Sequence, residues 1–574
     1  MFKKSPKNCF KPVLPSSSSS HKGSTEHEVV TPTPTVGSAS SDQHNKSNNG
    51  PILTYFNYFL LPQVDIITHQ NQDYIPIDIR VSTNDTTNQV YVSSSIYAHL
   101  CDIKHQIEKY QDTWDNIKKF TNPYEYIHSN ITGNKTNISK LRPLSRSFYK
   151  MIEIVKNNNI LSRYQHTIVN KPEYKMGIKT FHLAEGPGGF IEAISYLRGL
   201  EYHGNGTNYS SVLDATPSGE NDGNAAAAAF AASSPSSIQI LKRNTEFHDE
   251  YMKEQEYLKL TRRIFENQKS ESGGGAAPSA STAKNVYGND RYYGMTLVND
   301  DPICPGWKKT RAFLESHPNV IIENGADNTG NLISLENFLY CAEKYKNKMD
   351  IVTADGGFDF SVDFNHQETM ATKLILCEVF YALALQKQGG SFILKIFDVF
   401  HKATVDILYI LSYYYDHVSI MKPYTSRIAN SEKYVICQGF KITDSTQIIQ
   451  QFATIFDSIQ KSSSGDVLSS LLPVEHDLYF LNKIEDMNAM VSFQQIENIT
   501  STLSIITNHR NSEKLEQYKR ANVNKCIAWC EKYEIPHNAH HACFQSTNIF
   551  LHKSIPMVVG GGGGVGVGGG GVGM

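Results

Sequence analysis

The chain has 574 residues, a formal net charge of −3 and 40% apolar residues, enough for one large or two ordinary domains with a sizeable core. That balance gives no support to bulk nucleic-acid binding and does not exclude it, since a groove needs only a local basic patch. No apolar run reaches the roughly 18 residues needed to cross a bilayer, and the N-terminal MFKKSPKNCFKP lacks the apolar core of a secretory signal. Nine thinly spread cysteines, several inside apolar runs, fit reduced thiols in a cytoplasmic or nuclear protein with no membrane association.

Residues 1–49, with SSSSS and TPTPT, are too polar to offset their ordering entropy and are expected to be disordered. An accessory N-terminal region is expected over 50–123: apolar ILTYFNYFLL, β-like alternation in PIDIRVS and QVYVSSS, then a helical pattern closed by Asn122-Pro123. The main domain, 124–441, opens on SRSFYKMIEIVKNNNI, where Phe148, Met151, Ile152 and Val155 form an apolar helical stripe and Ser145 is the expected N-cap. Lys150 lies in that helix, and periodicity alone reads it as a solvated lysine. TFHLAEGPGGFIEAISYL then runs a short strand into Gly186, Pro187, Gly188 and Gly189 and on into a helix. Glycines at such a turn let main chain approach a ligand closely, and the helix start offers free N–H groups. The motif is neither the GxGxxG of dinucleotide folds nor a Walker loop.

From about 204 to 290 the pattern is lost in AAAAAFAASSPSS and SESGGGAAPSASTAK, which predicts an insertion looping out of the domain. It returns at YYGMTLVNDD and at NVIIENGADNTGNL, a strand whose turn carries Asp327. An acid at that place in a Rossmann-like sheet is a candidate for a ribose or base edge, with an Asx turn as the plain alternative. DIVTADGGFDFSVDFNHQETMATKLILCEVFYALALQKQGGSFILK reads as strand, acidic turn, long apolar helix and second strand, a βαβ crossover that sets Asp355 and Lys395 side by side at the carboxyl ends of neighbouring strands. A buried structural ion pair is the equal alternative for these two residues alone. Strands and helices go on alternating to Lys441, which predicts a three-layer α/β/α domain. Residues 442–556 read as helical. There CIAWCEKYEIPHNAHHAC, with Cys526, Cys530, His537, His540, His541 and Cys543, fits no common zinc spacing, so no metal is expected. The Gly-rich 557–574 is expected to be a flexible tail.

LAEGPGGF resembles the S-adenosylmethionine loop of FtsJ-like RNA 2′-O-ribose methyltransferases, and SRSFYK, TADGG, FILKIFD and NSEKYVIC resemble the segments that carry that family's K-D-K-E tetrad. The resemblance covers roughly 124 to 441 without the insertion. It implies a Rossmann-like methyltransferase fold, S-adenosyl-L-methionine as cofactor, and Lys150, Asp355, Lys395 and Glu432 as the catalytic tetrad, with Lys395 acting on the hydroxyl. It further implies His182, Glu185, Gly186, Pro187, Gly188, Gly189, Phe190, Asp327 and Asp355 as cofactor-binding residues. HLAEGPGGF, PGW, TADGGFD and PYTSRIANSEKY look closest to enzymes of eukaryotes and large DNA viruses that act on the second nucleotide beside the mRNA cap. One departure is His182, where many members place an Asp that helps hold the cofactor's methionine part. RNA, capped mRNA in particular, is the implied partner, with Arg146, Lys422 and Arg427 expected to flank the cleft. The alternatives are methylation of ribosomal or transfer RNA, or a catalytically inactive RNA-binding or structural homologue.

Overall fold

A computed structural model describes residues 57–64, 75–82, 89–164, 177–203, 290–298, 306–357, 365–463, 465–508 and 512–538. The expected disordered segment, the insertion from 204 to 289, the Gly-rich tail and His540, His541 and Cys543 lie outside them. In chain order the described strands are β1 (Tyr58–Leu61), β2 (Arg80–Ser82), β3 (Lys179–Leu183), β4 (Arg291–Met295), β5 (Val320–Ile322), β6 (Met349–Ala354), β7 (Gln386–Ile396), β8 (Tyr415–Met421), β9 (Lys433–Phe440) and β10 (Val467–Ser470). The helices are α1 (Ser94–Glu108), α2 (Gln111–Thr121), α3 (Ser147–Asn157), α4 (Gly189–His203), α5 (Arg311–Ser316), α6 (Leu335–Tyr345), α7 (Gln367–Leu385), α8 (Lys402–Tyr414), α9 (Thr446–Lys461), α10 (Leu478–Thr507) and α11 (Ser512–Lys532).

Eight strands form one sheet in the order β1-β8-β9-β7-β6-β3-β4-β5. The pairs from β7 through β6, β3 and β4 to β5 are parallel, whereas β9 runs antiparallel to both β7 and β8. The chain order reverses direction between β3 and β6, and in open sheets of this kind the crevice beyond the carboxyl ends at that point receives the ligand.

Alternation along each strand divides the core between the two faces of the sheet. Phe392, Leu394 and Ile396 of β7 join Val352 and Ala354 of β6 and the buried sides of α6, α7, α8 and α9. Ile393, Ile351, Tyr434 and Ile436 face the other way, toward α3, α4 and α11. The three layers follow from this alternation. α7 is buried on nearly every side, as suits a helix enclosed between sheet and neighbours.

The N-terminal region is less separate than its sequence reads. β1 adds to the edge of the main sheet by antiparallel pairing with β8, β2 pairs with β10, and α1 and α2 meet α10 through Trp114, Ile499, Leu503 and Ile506. These contacts link residues some 400 positions apart, a pairing that local patterning does not encode. Among the described residues no helix is long and apolar enough to cross a membrane.

Candidate active site

Register alone brings the central residues together. In the parallel pair β6/β7, Ala354 is opposite Leu394, so the next residues, Asp355 and Lys395, leave the sheet side by side. In the antiparallel pair β7/β9, Lys395 is opposite Tyr434, and Glu432 lies two residues before Tyr434, on the same face. The helix α3 covers that face and contributes Lys150, which is only 5% exposed; the solvated position that periodicity alone suggests is not what the fold builds. Ser145 is not the N-cap of α3, which begins after Arg146 without a side-chain cap; Ser145 instead bonds the hydroxyl of Ser147.

Two ion pairs result. Lys150 Nζ lies 2.6 Å from Glu432 Oε1, and Lys395 Nζ lies 3.2 Å from Asp355 Oδ1 while donating to the Asp355 carbonyl at 2.6 Å. Tyr434 joins them: its hydroxyl donates to Asp355 Oδ1 at 3.0 Å and accepts from Lys150 Nζ at 3.5 Å. Ser426 Oγ donates to Glu432 Oε1 at 2.9 Å. Tyr434 escapes the motif reading, although strand alternation from Glu432 marks it as facing the same cleft.

The charges are unevenly balanced. Burial pulls the Lys150 amine below the ordinary lysine range, against the opposing charge of Glu432. Lys395 moves the other way, because Asp355 and Glu432 outweigh its own desolvation. Burial would push Glu432 up, but Lys150, Lys395 and Arg146 hold its carboxyl well below the carboxylate range.

The glycine loop sits at the carboxyl end of β3, and Asp355 N donates to Leu183 O at 3.1 Å, tying it to the turn after β6. Gly188 has φ +103, and a Cβ there would stand 3.3 Å from the Trp307 ring. At Gly189 a Cβ would collide with the hydroxyls of Ser145 and Ser147, so this glycine lets the loop pack on the start of α3. Pro187 O accepts from Thr310 Oγ1 at 2.8 Å, and Phe190 is buried.

The remaining expected cofactor-binding residues have these surroundings. His182 is fully buried, with Nε2 bonded to Thr180 Oγ1 and Nδ1 to Thr353 Oγ1, each at 2.7 Å. Burial lowers its pKa to about 3, so it is a neutral strut between β3 and β6. The carboxyl of Glu185 caps α4, accepting from Phe190 N and from Ile191 N at 3.4 Å, and burial raises its pKa well above the ordinary value. Asp327 is exposed and closes an Asx turn, its Oδ1 accepting from Thr329 N and Oγ1 at 2.8 and 2.7 Å.

Of the three basic residues expected along the cleft, two turn inward. Lys422 is buried and donates to the carbonyls of Asn430 and Glu432, the latter at 2.9 Å; it shapes the loop that presents Glu432. Arg427 forms a fork with Glu125, Nε to Oε2 at 3.0 Å and Nη2 to Oε1 at 2.7 Å. Burial pushes Glu125 up, but the hydrogen bonds and charge of Arg427 bring its pKa down to about 2. Arg146 is half-buried beside the tetrad and lends its charge to Glu432 and against Lys150. Cys526 and Cys530 are buried on α11, and Cys526 Sγ meets Pro123 O at 3.4 Å.

A sheet of this order, with a lysine-rich ionic cluster over its switch point, is the Rossmann-like methyltransferase architecture. More narrowly, residues 272–440 match the model of the FtsJ-like methyltransferase family. Asp355, Lys395 and Glu432 fall inside that match, whereas Lys150 and the glycine loop precede it. Among curated proteins the chain is similar to "Cap-specific mRNA (nucleoside-2'-O-)-methyltransferase 1" of Trypanosoma brucei brucei, with 32% identity over 31% of this chain and 49% of the relative. It is similar also to "Cap-specific mRNA (nucleoside-2'-O-)-methyltransferase 2" of Pongo abelii, 29% identical over 37% of this chain and 27% of the relative. A third relative, "Inactive cap-specific mRNA (nucleoside-2'-O-)-methyltransferase 1B" of Caenorhabditis briggsae, is 26% identical over 41% of this chain and 25% of the relative. The chain thus spans about half or less of the length of these curated relatives.

Proposed function

We propose that this chain is an S-adenosylmethionine-dependent RNA 2′-O-ribose methyltransferase acting on a nucleotide beside the 5′ cap of mRNA. The observation that carries the reading is the meeting of Lys150, Asp355, Lys395 and Glu432 around Tyr434. Two amines and two acids brought together at one end of the sheet, with side chains 6–17% exposed, support a catalytic role over that of a scaffold. The names of the similar proteins support RNA and the cap as substrate. HLAEGPGGF and PYTSRIANSEKY favour the second transcribed nucleotide.

The residues at the carboxyl ends of β3 and β6 fit a positively charged donor. The carboxyls of Glu185, Asp355 and Glu378 gather there, and burial pushes Glu185 and Glu378 up, so both can take on negative charge as a cation arrives. The Glu185–Phe190 loop would line the donor, and the exposed carboxylate of Asp327 would meet its ribose or base edge. When bound, S-adenosylmethionine supplies an electrophilic methyl group on a cationic sulfur.

The acceptor hydroxyl must stand in line with that methyl, and much of the acceleration comes from holding it there. Lys395 reaches the cleft from β7 with its side chain 12% exposed. Its charged majority form donates to the hydroxyl oxygen and orients it. Its neutral minority form takes the hydroxyl proton. Lys150 and Glu432 neutralise each other and, through Tyr434, hold Asp355 in place to fix the Lys395 amine. Arg146 is the proposed phosphate contact; Lys422 and Arg427 shape the RNA-facing loop from within.

Capped transcripts incubated with labelled donor, then digested with nuclease and read by mass spectrometry, test the assignment. The expected product is a 2′-O-methyl ribose at a cap-adjacent nucleotide. Methylation of uncapped ribosomal or transfer RNA instead would overturn it.

A further inference from the structure

One acid interrupts the apolar surface of α7. Glu378 is 0% exposed, and neither carboxyl oxygen meets a hydrogen-bond partner; the Gly356 amide pulls on it without reaching hydrogen-bond geometry. A Cβ at Gly356 would collide with Glu378 Oε1. The carboxyl is therefore pressed against the Asp355–Gly356 turn from the face of the sheet opposite Lys150. Burial pushes its pKa up to about 8, against the pull of Lys395 and with an added rise from Asp355. The ionisable groups that face it are Lys395 on β7, Asp355 after β6 and Cys377 beside it on α7, whose thiol burial and Glu378 push up. An unpartnered buried carboxyl is costly, and an apolar side chain would pack this place without that cost. What the acid adds is a charge that can appear on demand.

We propose that Glu378 is a proton-linked counter-charge for the methyl donor: neutral while the cleft is empty, ionised when a sulfonium sits at the carboxyl ends of β3 and β6, so that the donor is held more tightly than the neutral thioether left after transfer. The inference rests on the donor named above. Its proton balance closes: the carboxyl O–H gives its proton to solvent as the cation arrives and regains one once the sulfur is neutral. Glu378 acts through the Asp355–Gly356 turn and is a positioning residue.

The test is calorimetric binding of S-adenosylmethionine and of S-adenosylhomocysteine to the full chain, in buffers of different ionisation heat, for wild type and Glu378→Gln. Wild type is expected to release more protons with the sulfonium than with the thioether, and its sulfonium affinity should rise with pH until about pH 8. Glu378→Gln should abolish that extra release and cut the preference for the sulfonium about tenfold, the equivalent of one pKa unit. Equal proton release with both ligands, or release unchanged in the variant, overturns the proposal. If the variant binds neither ligand, the infrared carboxyl band of wild type decides: it should be lost on adding the sulfonium and kept on adding the thioether, and a band that ignores both overturns the proposal. Failure of the wild-type chain to bind either ligand overturns the donor assignment, and this inference with it.

Discussion

The two ion pairs of the site each join a lysine to a carboxylate, glutamate in one and aspartate in the other, and they differ in surroundings. Lys150 and Glu432 are 2.6 Å apart with side chains 6% and 14% exposed, while Lys395 and Asp355 are 3.2 Å apart with 12% and 17%. The closer pair is the drier one, and there burial pulls the lysine down; in the more open pair the surrounding carboxylates hold the lysine up. On the proposed reading the drier pair serves as a fixed frame, and the more open pair is the one an incoming hydroxyl meets.

Breaking the open pair should have the largest effect on transfer. Lys395→Ala is expected to slow single-turnover methylation about 10³–10⁴-fold, the scale of a lost general base, while calorimetric donor affinity stays within about threefold. Breaking the dry pair should damage both transfer and fold: Lys150→Met strands a buried carboxylate, at a cost of about 3–5 kcal/mol in denaturant unfolding. If Lys150→Met unfolds like wild type, the frame role is wrong.

The support behind the frame gives a smaller, pH-dependent effect. The pKa of Glu125 is lowered from 4.5 to about 2 by Arg427. Its contribution is present in full above the unfolded value and is lost as pH falls through the folded one. Glu125→Gln should cost about 3 kcal/mol near neutral pH, with the gap from wild type closing between about pH 4.5 and pH 2; a gap that does not change with pH contradicts the pairing.

On the donor side, Gly188→Val places a β-branched residue at φ +103 and should weaken donor binding by about 2 kcal/mol, or roughly thirtyfold. Unchanged affinity by titration would remove the loop from the donor site. The smallest change is expected from Asp327→Ala, about tenfold in donor affinity for one charged hydrogen bond; no change would leave Asp327 as a turn residue alone.

Much of this site can be read from strand ends. Asp355 and Lys395 close apolar runs at matching positions of a βαβ unit, so their adjacency follows from period and register. Glu432 stands just before the last strand in the same way. What escapes reading depends on distant partners. Arg427 looks like a free cleft cation until Glu125, 302 positions away, takes its guanidinium, and the Lys422 ammonium is spent on the carbonyls of its own loop. His182 sits where a cofactor contact is expected, yet its two ring nitrogens belong to threonines of β3 and β6. Glu378 is hidden in a helix whose apolar surroundings suggest only packing. The union of β1 with β8 is equally hidden, since an edge strand carries no local mark of which sheet it will join.

The most direct test of Lys395 as the acceptor of the hydroxyl proton is the pH dependence of wild-type single-turnover methylation of capped RNA at saturating donor. Because the Lys395 amine is held above the ordinary lysine value, its neutral fraction grows with pH, and the rate should climb about tenfold per unit from pH 7 to 9. A flat profile over that range, with chemistry shown to limit the rate, would contradict the assignment.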